Sequence, residues 1–120
     1  MPEKWEEIKE YYKNGQIEWD ISKVNGQRHG LARQYFEGGQ IKIERNYAAG
    51  KTEGIEKMYY RSGQLLQEIE YKAGLKDGIF NTYHPNGQLH YKGIFAADKK
   101  AGLFQEFDNL GNLVREVVNE

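Results

Sequence analysis

The stretch "HPNGQL", His84 to Leu89, sets a proline, an Asn-Gly pair and an apolar residue in the order of a tight turn that opens a strand. Its Gly-Gln core returns as "KNGQI" at Lys13, "EGGQI" at Glu37 and "RSGQL" at Arg61, and in altered form as "NLGNL" at Asn109. Gly15, Gly39, Gly63, Gly87 and Gly111 are each 24 residues apart, so the 120-residue chain is a tandem array of five periods.

Columns taken at this period carry the fold. An aromatic column runs Tyr11, Tyr35, Tyr59, Tyr83, Phe107, and an aliphatic one Ile17, Ile41, Leu65, Leu89, Leu113. Gly30, Gly54, Gly78 and Gly102 form a second glycine column. A third runs Gly26, Gly50 and Gly74, with Asp98 in the fourth place, and both punctuate turns. The segments between are short, alternating and rich in Tyr, Phe, Ile, Leu and Val, which predicts two strands per repeat. The fold class is therefore all-β, an elongated, curved, single-layer antiparallel meander of tandem β-hairpins. Its 120 residues form one domain, with repeats at about 5–30, 31–54, 55–78, 79–102 and 103–120. "PEKWEEIKEYY" is read as strand because Tyr11, Tyr12 and Gly15 keep the repeat register, although Pro2 and the glutamates would also suit a helix start.

Turn chemistry sets the register. A two-residue type I′ turn would need positive φ at Ser62 and Leu110, which those residues resist. A three-residue loop suits Pro85 at its first position and asks a left-handed backbone only of Gly87. His84 then pairs with Gln88, and Tyr83 faces Leu89. The G-x-x-x-G link between repeats is expected to be looser.

Unbroken alternation from that register puts Ile43, Ile69, Tyr47, Tyr71 and Phe95 on the same face as the Tyr11 and Ile17 columns. Lys9, Lys23, Arg33, Arg45, Lys57 and Arg115 fall there against the single acid Glu7, while Asp20, Glu44, Glu68 and Glu116 fall opposite. The expected partner-binding surface is this aromatic, basic-leaning face, carried by Tyr11, Tyr35, Tyr59, Tyr83, Tyr47, Tyr71, Arg33, Arg45 and Lys57. Tyr and Arg favour interfaces, and repeat arrays bind through extended surfaces.

Other chemistry is disfavoured. A net charge of -1 and a pI near 6.3 argue against nucleic acid and against anionic lipid. The absence of cysteine removes disulfides, thiolate metal sites and a cysteine nucleophile. The N-terminus lacks the basic and apolar regions of a secretory signal, so a soluble cytoplasmic protein is expected. His84 and His90 share a turn without a third ligand nearby, and no nucleophile elbow, phosphate loop or metalloprotease helix is present. No catalytic residue, cofactor or metal is expected.

The pattern G-[LI]-x-x-x-[YF]-x-x-x-G-[QN]-[IL]-x-x-x-x-x-[YF]-x-x-G-x-x-x-G, cleanest in "YYRSGQLLQEIEYKAGLKDG" at Tyr59 to Gly78, resembles the MORN repeat variant, in particular the bacterial YwqK-type antitoxins. The resemblance runs from about Glu7 to Val117. It departs at Lys23 and Asn119, where the strand aromatic is missing, and at Leu110, as outer caps of an array do. It implies a non-enzymatic protein-binding module, an antitoxin or immunity-like factor whose partner is a protein, such as a toxin. A scaffold without a toxin is the alternative, and oligomeric state is left open.

Overall fold

The computed structural model describes residues 2–120. One antiparallel sheet contains every strand: β1 (Trp5–Tyr11), β2 (Ile17–Val24), β3 (Gln27–Arg28), β4 (Gly30–Tyr35), β5 (Ile41–Ala48), β6 (Lys51–Thr52), β7 (Gly54–Tyr59), β8 (Leu65–Lys72), β9 (Leu75–Tyr83), β10 (Leu89–Ala96), β11 (Lys99–Phe107) and β12 (Leu113–Asn119). Its order is the order of the chain, with β3 and β6 as short extensions beside β2 and β5. The sheet is open, measures 51 × 36 × 16 Å, and has no helix among the described residues. "WEEIKEY" is strand, as the repeat register required.

All five glycine turns share one geometry. His84 N donates to Gln88 O at 2.8 Å and Gly87 N to His84 O at 2.8 Å, and the same bonds close the turns at Tyr12, Phe36, Tyr60 and Asp108. Only the glycine is left-handed, with φ between 88 and 94°. Tyr11, Tyr35, Tyr59, Tyr83 and Phe107 therefore face Ile17, Ile41, Leu65, Leu89 and Leu113. The purpose of "HPNGQL" is visible in Asn86. Its Oδ1 accepts from Gln88 N at 3.0 Å inside the turn, and its Nδ2 donates to Asn109 O at 2.7 Å in the next one. His84 Nε2 bridges to Phe107 O at 2.8 Å, where Tyr60 OH reaches Tyr83 O at 2.7 Å one repeat earlier.

The link between repeats is tighter than expected. Asn25-Gly26, Ala49-Gly50, Ala73-Gly74 and Ala97-Asp98 all have positive φ at both positions, the mark of a two-residue type I′ hairpin. Amides of the last three also bind the preceding repeat, as in Gly50 N to Arg28 O at 3.0 Å and Gly74 N to Thr52 O at 2.9 Å. Three alanines thus sit in a conformation that Asn tolerates better. Ala73→Asn should raise stability by about 0.5 to 1 kcal/mol, read as an upward shift of the thermal midpoint.

The decisive feature is one a strict alternation omits. Immediately after each glycine turn the pairing slips by one residue: Tyr35 faces Ile41, but Gln34 faces Ile43. The same slip separates Tyr11 from Glu10, Met58 from Tyr59, and Glu106 from Phe107, so each second strand carries a single-residue bulge. Because side chains alternate with a period of two, the bulge sends the rest of that strand to the other face.

Candidate protein-binding faces

The bulge corrects the expected face. Tyr11, Tyr35, Tyr59, Tyr83, Arg33 and Lys57 do share one side. Arg45, Tyr47 and Tyr71, with Ile43, Ile69 and Phe95, lie on the other, because they pair with Ala32, Gly30, Gly54, Met58, Phe80 and Gly78. Asp20, Glu44, Glu68 and Glu116, expected opposite the basic residues, stand among them. The first side is therefore not basic-leaning.

Its middle row is a ladder that crosses the whole sheet. Lys9, Asp20, Arg33, Glu44, Lys57, Glu68, Asn81, Lys92, Gln105 and Glu116 stand in direct succession, each opposite the next. Over its first six members the sign alternates at every step. Such pairs are worth about 0.2 to 1 kcal/mol each and fix register as well as adding stability. Arg33 Nε lies 3.1 Å from Glu44 Oε2. The tyrosines belong to the same network: Tyr59 OH donates to Glu44 Oε1 at 2.7 Å and Tyr83 OH to Glu68 Oε1 at 2.7 Å. Glu44 is held below the usual carboxylate range, chiefly by the Tyr59 hydrogen bond.

Burial, then the bond to Glu44, pushes the Tyr59 phenol up to about 12; burial and Glu68 push Tyr83 up to about 12. A phenol raised in the folded state binds its proton more tightly there than in the unfolded chain. Its contribution is complete below pH 10 and is lost as pH rises from 10 to 12. Alkaline melts should fall over that window, and Tyr59→Phe/Tyr83→Phe should flatten the fall.

Flanking the ladder on one side is the tyrosine and aliphatic row, and on the other a row with Leu31, Ile55, Ile79, Ile94, Leu103 and Val118. Most of the exposed large apolar side chains are on this face, among them Trp5, Tyr11, Leu31, Ile55, Ile94, Leu103 and Val118. No second layer covers them among the described residues.

The opposite face is the core of the molecule. Ile21, Ala32, Ile43, Tyr47, Ile69, Phe95 and Phe104 are buried on it. Long side chains cover them: Arg28 lies 5.4 Å from the Tyr47 ring centroid, Lys76 Nζ 5.1 Å from that of Phe95 and Lys100 Nζ 5.0 Å from that of Phe104. Arg45, expected on the binding surface, is tied to Glu56 at 2.6 Å and to Tyr47 OH at 3.2 Å. Burial opposes its charge, but these bonds outweigh burial and raise its pKa. Glycines of the second column sit directly across from Tyr47, Tyr71 and Phe95, so each ring lies opposite a residue without a side chain. In the last repeat the ring is replaced by Asn119, whose Nδ2 donates to Gly102 O at 3.2 Å.

His84 and His90 stack at 4.1 Å between ring centroids, with Glu106 4.0 Å from His90. Burial and the His84 ring lower the pKa of His90. No group of three metal-ligating side chains occurs among the described residues.

The acids of the ladder are what the sequence reading missed. The signal was present as two complementary columns, Lys9-Arg33-Lys57 and Asp20-Glu44-Glu68, each with the 24-residue period. No curated protein is matched by the chain. The model of the MORN repeat variant matches residues 28–49, 52–73 and 76–97, three tandem copies that begin and end in the same phase of the hairpin. The hairpins around Gly15 and Gly111 lie outside those residues but close with the same turn bonds. The chain belongs to the MORN repeat variant family.

Proposed function

We propose that this is a non-enzymatic binding protein that holds a partner protein on its ladder face, in an antitoxin or immunity-like role in the cytoplasm. The observation that carries the reading is the concentration of exposed apolar side chains on that one face, in rows beside a ladder in which opposite charges face each other. Large contiguous apolar exposure on a soluble domain marks an interaction surface. The all-β MORN repeat fold is typical of non-catalytic repeat proteins, and the resemblance to YwqK-type antitoxins supports the choice of partner.

The ladder changes what that partner presents. A basic face would select an acidic surface; a neutralised ladder flanked by Leu31, Ile55, Leu103 and Tyr35 selects an apolar ridge, and steering by charge contributes little. Binding is thus expected to tolerate salt. With a partner identified by co-purification and then purified, Ile55→Glu/Leu103→Glu should weaken affinity about a hundredfold, while Lys76→Glu/Lys100→Glu on the core face should leave it unchanged. The reverse pattern would remove the ladder face from the account. Loss of protection against an adjacently encoded toxin in the first variant, with a normal melt, would tie the binding to the antitoxin role.

A further inference from the structure

The two end strands are complementary in the register that joins the repeats. Between repeats the structure pairs Trp19 with Gln34 and Asp20 with Arg33, Ile43 with Met58 and Glu44 with Lys57, and Tyr91 with Glu106 and Lys92 with Gln105. Ile69 faces Phe80 in the same series. Arg115, Glu116 and Val117 are the members of these columns on β12, and Glu10, Lys9 and Ile8 are the corresponding members on β1. A second copy set against β12 in the repeat register brings Arg115 opposite Glu10, Glu116 opposite Lys9 and Val117 opposite Ile8. Two pairs are of opposite charge and the third is apolar. On the ladder face, Glu116 at one end of the row then meets Lys9 at the other, an opposite-charge step like those among its first six members.

We propose that this chain associates head to tail with further copies of itself, β12 of one pairing with β1 of the next so that the sheet and its charge ladder continue across the junction. Burial supports a strand in that position. Val117 is 38% exposed, whereas Ile21 and Ile69, its equivalents where a following repeat is present, are 5% and 4% exposed. Leu113 and Val118 are likewise exposed on the edge. Edge strands present unpaired backbone donors and acceptors, and charge pattern decides what they accept. Antiparallel pairing of β12 with itself gains no opposite-charge pair, because Arg115 and Glu116 lie on opposite faces. A contact of β12 with β1 is heterologous, and it propagates rather than closing at a dimer.

Sedimentation velocity on the full chain over a concentration series tests this. Native protein should show a mass average that rises from the 14.0 kDa chain past the dimer. Arg115→Glu/Glu116→Lys, and separately Lys9→Glu/Glu10→Lys, should raise the dissociation constant at least about tenfold. An equimolar mixture of the two variants restores both pairs at every junction and should recover association. A folding fault cannot be rescued by mixing, so recovery isolates the edge contact, and circular dichroism of each variant checks its fold. A native chain monomeric up to about 1 mM, association that the variants leave intact, or a mixture that stays dissociated would each overturn the proposal.

Discussion

Glu56→Ala should cost about 3 kcal/mol, an unusually large effect for a charged residue in a single-layer sheet. Glu56 is 6% exposed, lies opposite Ile69 on the core face, and takes the Arg45 guanidinium at 2.6 Å. Removing the carboxylate leaves a half-buried cation with only the Tyr47 hydroxyl for company. Desolvation of the pair itself is nearly offset by its attraction, so replacing both partners with apolar residues should be far milder. Arg45→Leu/Glu56→Leu is expected within about 1 kcal/mol of the native chain, in the same urea titration. A double variant as unstable as Glu56→Ala would show that the pair contributes net stability.

Gly93→Ile should cost about 2 to 3 kcal/mol, although it inserts the residue type that two other repeats carry in the same column. Ile21 and Ile69 occupy that column, but at Gly93 the space is taken by rings from the neighbouring strands. Phe80 and Phe104 lie 5.9 Å apart between centroids, and a methyl on Gly93 would overlap the Phe104 ring. Phe95 completes the cluster at 5.3 and 5.6 Å. The volume has moved from one strand to its neighbours, so the variants should be strongly non-additive. Gly93→Ile/Phe104→Ala should be more stable than either single change predicts by addition, and strict additivity in the melts would refute the exchange of volume.

These two sites show why the sequence disclosed the hairpins but not the faces. Turns are written in residues with special backbones: Gly87 must be left-handed, Pro85 suits the first loop position, and the column of Tyr83 must then face Leu89. The bulge has no such residue. Its extra position is filled by Glu18, Lys42, Leu66, His90 and Val114, which have nothing in common and need no special conformation. Alternation read through that position put Arg45 and Tyr47 on the wrong side and split Arg33 from Glu44. The tight links between repeats were hidden in the same way, since only Asn25-Gly26 has a composition that announces a type I′ turn, whereas Ala49, Ala73 and Ala97 adopt it under the pull of the flanking strands. In the candidate site, Tyr11, Tyr35, Tyr59, Tyr83, Arg33 and Lys57 were found from their period; the carboxylates Glu44 and Glu68, which take Arg33, Tyr59 and Tyr83, were visible only as a complementary column.

A bulge after every glycine turn divides this sheet into a laddered face and a packed one, and introduced cysteine pairs report that division in a chain that has no cysteine of its own. Directly opposed residues have Cα atoms within about 4.5 to 5.5 Å, inside the range a disulfide spans. Arg33→Cys/Glu44→Cys should oxidise to a single intramolecular bond, while Arg33→Cys/Ile43→Cys, the pair that unbroken alternation would place face to face, should stay reduced under the same conditions. Cross-linking at 33 and 43 with none at 33 and 44 would show that the strands alternate without a bulge, and the ladder face would not exist.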